Sequence, residues 1–329
     1  MMLEKTFEYE SPHFLHSLFA DDVGLLRELE SALSLQVTTR DGWLKLQGSA
    51  QAIEHGTALF EDLERARRRG GPITPHSFRY AVNSARLGMN QEGDSPQIGV
   101  SDLFDHQLLE GGSKPAVTPR TQTQKEYLQA LDEHDVSFGV GPAGTGKTFL
   151  AMAYALDLLK NRKIDRIMLT RPAVEAGEAL GFLPGALEEK VLPYLRPLYD
   201  AMSDMLDSAE ALKYAEKNLI EIAPLAYMRG RTLNRACVIL DEAQNASREQ
   251  MLMFLTRLGE ESKCIVTGDP SQIDLRPKSK SGLLEAMSLL HGIEGVSFTH
   301  FSKEDVVRHP VVARIIEAYD RGRSEKESE

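Results

Sequence analysis

The sequence predicts an α/β fold built on a parallel sheet, preceded by a small α+β module. Three observations carry this. Between residues 120 and 320, short apolar runs alternate with helix-like stretches, the pattern of a parallel sheet covered on both faces. The first of those runs, 136–140, leads through a glycine-rich loop into a helix-like run at 149–159. Ahead of them, residues 15–87 read helix, strand, strand, helix, an order that suits a compact α+β unit.

Within the first module, 25–33 has helical spacing, and 35–39 and 43–47 alternate as two strands joined by Arg40-Asp41-Gly42. Residues 50–69 form a long amphipathic helix, with arginines in its last turn and glycine after it. From 89 to 118 Gly, Ser, Pro, Asp and Gln are frequent and apolar residues lack a period, which reads as a flexible linker. The expected organisation is a module at 1–88, a linker at 89–118, an α/β domain at 119–320 and a charged tail at 321–329. Strands of the α/β domain are expected at 136–140, 166–170, 218–224, 236–240, 263–267 and 296–301. A Pro-interrupted helical stretch fills 187–217, and Met251 to Leu255 reads as core helix.

A chain of 329 residues has room for about two domains. Its net charge of −11 argues against a general polyanion binder, so any nucleic-acid contact needs a local basic groove. Cys237 and Cys264 each lie in an apolar strand-like run and are expected as buried, reduced thiols. The first ten residues carry acids and no apolar signal core, and no stretch is long enough to span a bilayer. A cytoplasmic protein without a membrane partner is expected. The histidines form no metal-ligand spacing, and no Ser-His-Asp arrangement can be argued.

The run Gly141-Pro142-Ala143-Gly144-Thr145-Gly146-Lys147-Thr148 fits the phosphate-binding P-loop pattern in its strand–loop–helix context. Small residues let backbone N–H groups and a helix N-terminus face an anion. Lys147 can then reach the β- and γ-phosphates of a nucleotide, and the Thr148 hydroxyl can hold Mg²⁺. A second signal is the apolar run 236–240 ending in Asp241 and Glu242. On a buried strand beside a P-loop, Asp241 serves the Mg²⁺ shell and Glu242 orients and deprotonates the attacking water. That pair favours hydrolysis over transfer to another acceptor, which disfavours a small-molecule kinase. The third signal, Thr267-Gly268-Asp269-Pro270-Ser271-Gln272, again ends a strand in polar groups, and Gln272 can sense the γ-phosphate or its water. A simple Asp-Pro turn is the competing role.

With these motifs in order, residues 118–320 resemble the PhoH-like ATPases, relatives of superfamily 1 helicases. The matching segments also include Thr123-Gln124-Lys125-Glu126-Tyr127, Thr170-Arg171-Pro172 with the residues to Glu178, Gly181-Phe182-Leu183-Pro184-Gly185, Tyr227-Met228-Arg229-Gly230-Arg231-Thr232 and Asp241-Glu242-Ala243-Gln244-Asn245. The resemblance implies a RecA-like P-loop NTPase core that binds ATP, with Gln124 near adenine and Gln244 and Gln272 near the γ-phosphate. It implies that 171–178 and 229–232 face nucleic acid or transmit the nucleotide state. Physically, Arg171 ends a strand where α/β sheets build ligand sites, and Arg229 and Arg231 flank a glycine in a way that suits phosphate. Ion pairs to this chain's many acids are the competing role.

Superfamily 1 helicases place the nucleotide between two such cores, whereas about 55 residues follow Asp274. The resemblance therefore implies a homo-oligomeric ring, such as a hexamer, in which a neighbour completes each site. Arg308 is the candidate arginine finger, with an ion pair to Asp305 as its competing role. The first module resembles the partial KH-like domain of the bacterial PhoH branch. It lacks a Gly-x-x-Gly loop; Phe19-Ala20-Asp21-Asp22-Val23-Gly24 stands there, and its aspartates would repel a nucleic-acid backbone. Packing or oligomerisation is an equal role for it. The branch is associated with a small zinc endoribonuclease of ribosome and RNA maturation, which the resemblance offers as a partner. The resulting expectation is a Mg²⁺-dependent ATPase that remodels RNA or RNA–protein complexes. The alternative is a nucleotide-gated assembly factor or scaffold that acts on a protein and unwinds nothing.

Overall fold

The computed structural model describes residues 2–89, 99–103, 106–110, 114–172, 187–306, 311–312 and 315. They fall into two compact units, 1–107 with 118–125, and 108–117 with 126–329.

The first unit contains strand β1 (Leu3–Glu8), helices α1 (Pro12–Ser17) and α2 (Val23–Leu33), strands β2 (Gln36–Arg40) and β3 (Trp43–Gly48), and helices α3 (Ala50–Arg68), α4 (Pro75–Met89) and α5 (Val100–Leu103). The sheet is antiparallel in the order β1-β3-β2. The hairpin turns through Asp41 and Gly42 at φ 46° and 90°, the left-handed geometry that a two-residue loop needs. Helix α2 starts where the Asp22 carboxylate accepts the Gly24 N–H at 2.8 Å. It buries Leu25, Leu26, Leu29 and Leu33 on one stripe. Ser49 caps α3, whose last turn carries Arg65, Arg67 and Arg68 against the helix dipole.

The expected helix, two strands and helix are present, with β1, α1 and α4 in addition. Strand β1 escapes a periodicity reading because only Phe7 along it is even partly covered. Its pairing with β3, not its side chains, makes it a strand. Part of the compositional linker is packed. Val100 and Leu103 of α5 are buried, and the Asp62 carboxylate of α3 accepts hydrogen bonds from the Val100 and Ser101 N–H groups and the Ser101 hydroxyl. In the second unit Leu108 and Val117 form an antiparallel bridge. Isolated apolar anchors without a period do this, and composition averaged over a segment hides them.

The boundary between the units falls within α6 (Gln122–Glu133). Beyond it come β4 (Val136–Val140), α7 (Lys147–Lys160), β5 (Arg166–Arg171), α8 (Leu187–Met205), α9 (Ser208–Glu216) and β6 (Ile220–Pro224). Then follow β7 (Ala236–Leu240), α10 (Arg248–Leu255), β8 (Lys263–Gly268), α11 (Gly282–Leu289) and β9 (Val296–His300). All six strands are parallel, in the order β6-β5-β7-β8-β4-β9, and each begins and ends within two residues of its expected position. One face packs on α7 and α8 through residues such as Leu156, Ile167 and Met202; the other packs on α10 and α11 through Phe138, Phe254 and Leu283. Both faces covered explains why the strands read as apolar runs.

The helical stretch before β6 breaks at Leu206-Asp207, where Asp207 caps α9 by accepting the Glu210 N–H at 2.8 Å. Pro193 and Pro197 lie within α8, so the cap and not the prolines sets the break. Cys237 and Cys264 are buried free thiols on neighbouring strands that belong to opposite faces. Among the described residues no helix is long and apolar enough to cross a membrane.

The strand order positions the site. Strand β8 separates β4 from β7, and the C-terminal ends of β4, β5, β7 and β8 share one edge. That edge is where open α/β sheets bind ligands.

Candidate nucleotide site

The loop after β4 turns through three glycines with positive φ: Gly141 at 147°, Gly144 at 86° and Gly146 at 82°. At Gly141 the reason is contact as well as torsion, since a Cβ there would lie 2.3 Å from the Phe301 carbonyl oxygen. Helix α7 then begins at Lys147 with no side-chain cap on its first N–H groups. Such a helix start is a ready anion cradle. Lys147 is buried, and its Nζ donates to the carbonyls of Gly141 at 2.8 Å and Pro142 at 2.7 Å and to Thr145 Oγ1 at 3.2 Å. The ammonium thus lies over the mouth of the loop, on acceptors that phosphate oxygens can replace.

Across one strand, Thr148 Oγ1 donates to Asp241 Oδ1 at 2.6 Å. Thr267, on the intervening β8, donates to the same oxygen at 2.8 Å. The Asp241 N–H is taken by the Thr170 carbonyl at 2.9 Å, so backbone and side chain are both fixed. Glu242 has a left-handed backbone at φ 53°, an uncommon conformation for a residue with a Cβ, as the chain swings from β7 into the short turn Ala243–Asn245. Its Oε1 accepts from Arg171 at 2.7 Å and its Oε2 from the Gln244 amide. Arg171 also approaches Asp241 at 3.6 Å.

The Gln244 amide continues the network by accepting the Asp269 N–H at 3.1 Å. Asp269 in turn takes Ser271 through one oxygen and Gln272 Nε2 through the other, at 2.7 Å. Asn245 and Asp274 pair reciprocally at 2.9 and 3.2 Å, tying the two acid-bearing loops together. Ala143, Lys147, Thr148, Asp241, Glu242, Gly268, Asp269 and Gln272 line a cleft of about 90 Å³. The hard oxygen donors of Thr148 and Asp241 at its floor suit Mg²⁺, and the glycine loop with Lys147 suits phosphate.

The structure therefore brings together residues 141–148, Asp241, Glu242, Gln244 and Gln272, with Arg171 beside the acids. Gln124 belongs to the first unit, where it is buried and its Oε1 accepts the Arg120 N–H at 2.7 Å. Arg231 has the competing role: it makes a two-armed pair with Glu221 at 2.7 and 2.9 Å, which holds that carboxyl below the usual carboxylate range. Arg229, after the turn Leu225–Met228, is exposed. Arg308 lies outside the described residues; Asp305 uses its carboxylate to cap Ser302. Thr267 and Asp269 are positioning groups as well, a role not evident from the sequence. The signal was present as polar residues closing a buried strand, but their partners come from a different strand.

Residues 116–320 match the PhoH-like protein family. A PhoH-like protein of Synechocystis sp. is 55% identical over 316 residues, 96% of this chain and 94% of its own. That of Bacillus subtilis is 45% identical over 320 residues, 97% of this chain and 98% of its own. Among solved structures, a Sulfolobus solfataricus SWI2/SNF2 ATPase core in complex with dsDNA aligns with 54% of this chain and 38% of its own at 15% identity and a TM-score of 0.31, and adds nothing to the assignment. With a parallel sheet, a glycine loop at the end of β4 and acids at the end of β7, the second unit has a P-loop NTPase-type fold, and the chain belongs to the PhoH-like protein family.

Proposed function

We propose that the chain is a Mg²⁺-dependent ATPase that couples hydrolysis to remodelling of RNA or RNA–protein complexes. The observation that carries the ATPase is the 2.6 Å bond joining Thr148 of the P-loop helix to Asp241, with Glu242 as the next residue. Thr148 and Asp241 would hold Mg²⁺, which when bound neutralises charge on the phosphate oxygens. Backbone N–H groups of 143–148 bind the phosphates, and Lys147 exchanges its loop carbonyls for phosphate oxygens. Gln124 reads the adenine. Glu242 accepts a proton from water as that water's oxygen bonds the γ-phosphorus and the bond to the departing ADP oxygen breaks. Gln244 and Gln272, already linked through Asp269, report whether the γ-phosphate is present.

In this reading the chain works as a ring, such as a hexamer, with Arg308 reaching a neighbour's site, and within the cytoplasm. Arg171 and Arg229 are the first surfaces to test for RNA, and an endoribonuclease of RNA maturation is the partner to try. A second reading has its own support. Both Arg171 and Arg231 are engaged by carboxylates, as suits a nucleotide-gated switch that acts on a protein and ignores RNA. Steady-state ATP hydrolysis with and without single-stranded RNA separates the two. Stimulation supports the RNA remodeller, whereas turnover indifferent to RNA supports the protein-directed switch.

A further inference from the structure

The residue best placed to act as general base is held by two groups in this structure. Arg171 binds Glu242 Oε1 at 2.7 Å, Gln244 binds Oε2, and the backbone beneath is left-handed at φ 53°. Each carboxylate oxygen thus already accepts one directed donor, and a water to be activated must compete with a guanidinium and an amide for the lone pairs that remain. The same guanidinium lies 3.6 Å from Asp241, so one cation serves as counter-charge to both acids. It is largely buried, with its side chain 18% exposed, at the very tip of β5.

The donors Thr148 and Asp241 suit Mg²⁺, and a guanidinium already beside Asp241 repels a second positive charge at close range. Bound Mg²⁺ therefore weakens the hold of Arg171 on Asp241, while phosphate oxygens offer the guanidinium a competing acceptor.

We propose that Arg171 is a brake: a positioning residue whose hydrogen bond occupies Glu242 Oε1 and competes with the attacking water until the guanidinium leaves the two acids. This rests on the hydrolytic reading above and adds a regulatory step to it. The arginine is drawn off by a better acceptor, and phosphate oxygens, which take a guanidinium through two parallel donors, have the required chemistry.

The test is ATP turnover and nucleotide affinity of the full chain with Arg171→Ala and Arg171→Lys. Removing one charge-assisted hydrogen bond from the held state is expected to raise unstimulated kcat by about ten-fold. Affinity for a fluorescent ATP analogue stays within roughly three-fold, and Arg171→Lys, which keeps the charge but not the fork, falls between. Wild-type turnover that Arg171→Ala lowers or leaves unchanged overturns the brake and leaves the ATPase standing. Hydrolysis absent from both proteins overturns the ATPase itself and the brake with it.

Discussion

Thr148 Oγ1 and Asp241 Oδ1 are 2.6 Å apart although the strands that lead to them, β4 and β7, are not neighbours. Strand β8 lies between, and its Thr267 hydroxyl donates to the same Asp241 oxygen at 2.8 Å. The P-loop threonine and the acid are thus held together from below by a residue that touches both, since Thr267 Oγ1 also lies 3.3 Å from Thr148 Oγ1. Replacing Thr267 with valine keeps the shape and removes the bond. One hydrogen bond of this kind is worth about 1 kcal/mol, so the Mg²⁺ concentration for half-maximal turnover should rise roughly five-fold. A Mg²⁺ titration of Thr267→Val at saturating ATP checks it.

Gly141→Ala should damage folding and not merely activity. A Cβ there lies 2.3 Å from a backbone oxygen, that of Phe301, and φ is 147°. Backbone cannot step aside as a flexible side chain can. A loss of about 2–4 kcal/mol is expected, measured as a shift of the urea midpoint with unchanged slope.

The P-loop and the Asp241-Glu242 pair were legible because each is local: a strand, a loop of fixed spacing, and side chains that follow directly. The central strands of the sheet were legible because they are buried on both faces and read as continuous apolar runs. Strand β1 was not, because its side chains are exposed and only hydrogen bonding to β3 defines it. The strand order, and with it the role of Thr267, comes from packing between segments far apart in sequence. Arg171 could be placed at a strand end, but its partner Glu242 is 71 residues away and no spacing rule reaches it.

His76 in α4 should make the first unit acid-sensitive. Its Nε2 is buried without a hydrogen-bond partner, and burial, then Arg120 and Arg79, hold its pKa below the ordinary 6.5. The unfolded chain therefore binds this proton at a higher pH than the folded one. Stability from this site is complete above about pH 6.5 and is lost as pH falls toward the folded value. Trp43, the one tryptophan, lies in β3 of the same unit and reports its unfolding. Urea midpoints at neutral and mildly acidic pH should differ less in His76→Gln than in the wild type. An undiminished difference assigns the acid sensitivity elsewhere.

If a neighbour completes each site, two inactive variants should rescue one another. Lys147→Ala loses the ammonium that binds phosphate, and Arg308→Ala loses the proposed finger. Mixed in equal amounts, they form sites with an intact P-loop facing an intact Arg308. Recovery of turnover supports a finger acting between subunits; a mixture as inactive as its components removes Arg308 from that role.

In the proposed function, Glu242 activates water at a site that binds ATP through the P-loop. This role is tested most directly by measuring ATP affinity and phosphate release together for Glu242→Gln. The expected result is affinity within a few-fold of wild type and a loss of about 10²–10⁴ in turnover, the usual contribution of a positioned general base. Phosphate release at the wild-type rate from the glutamine variant would contradict it.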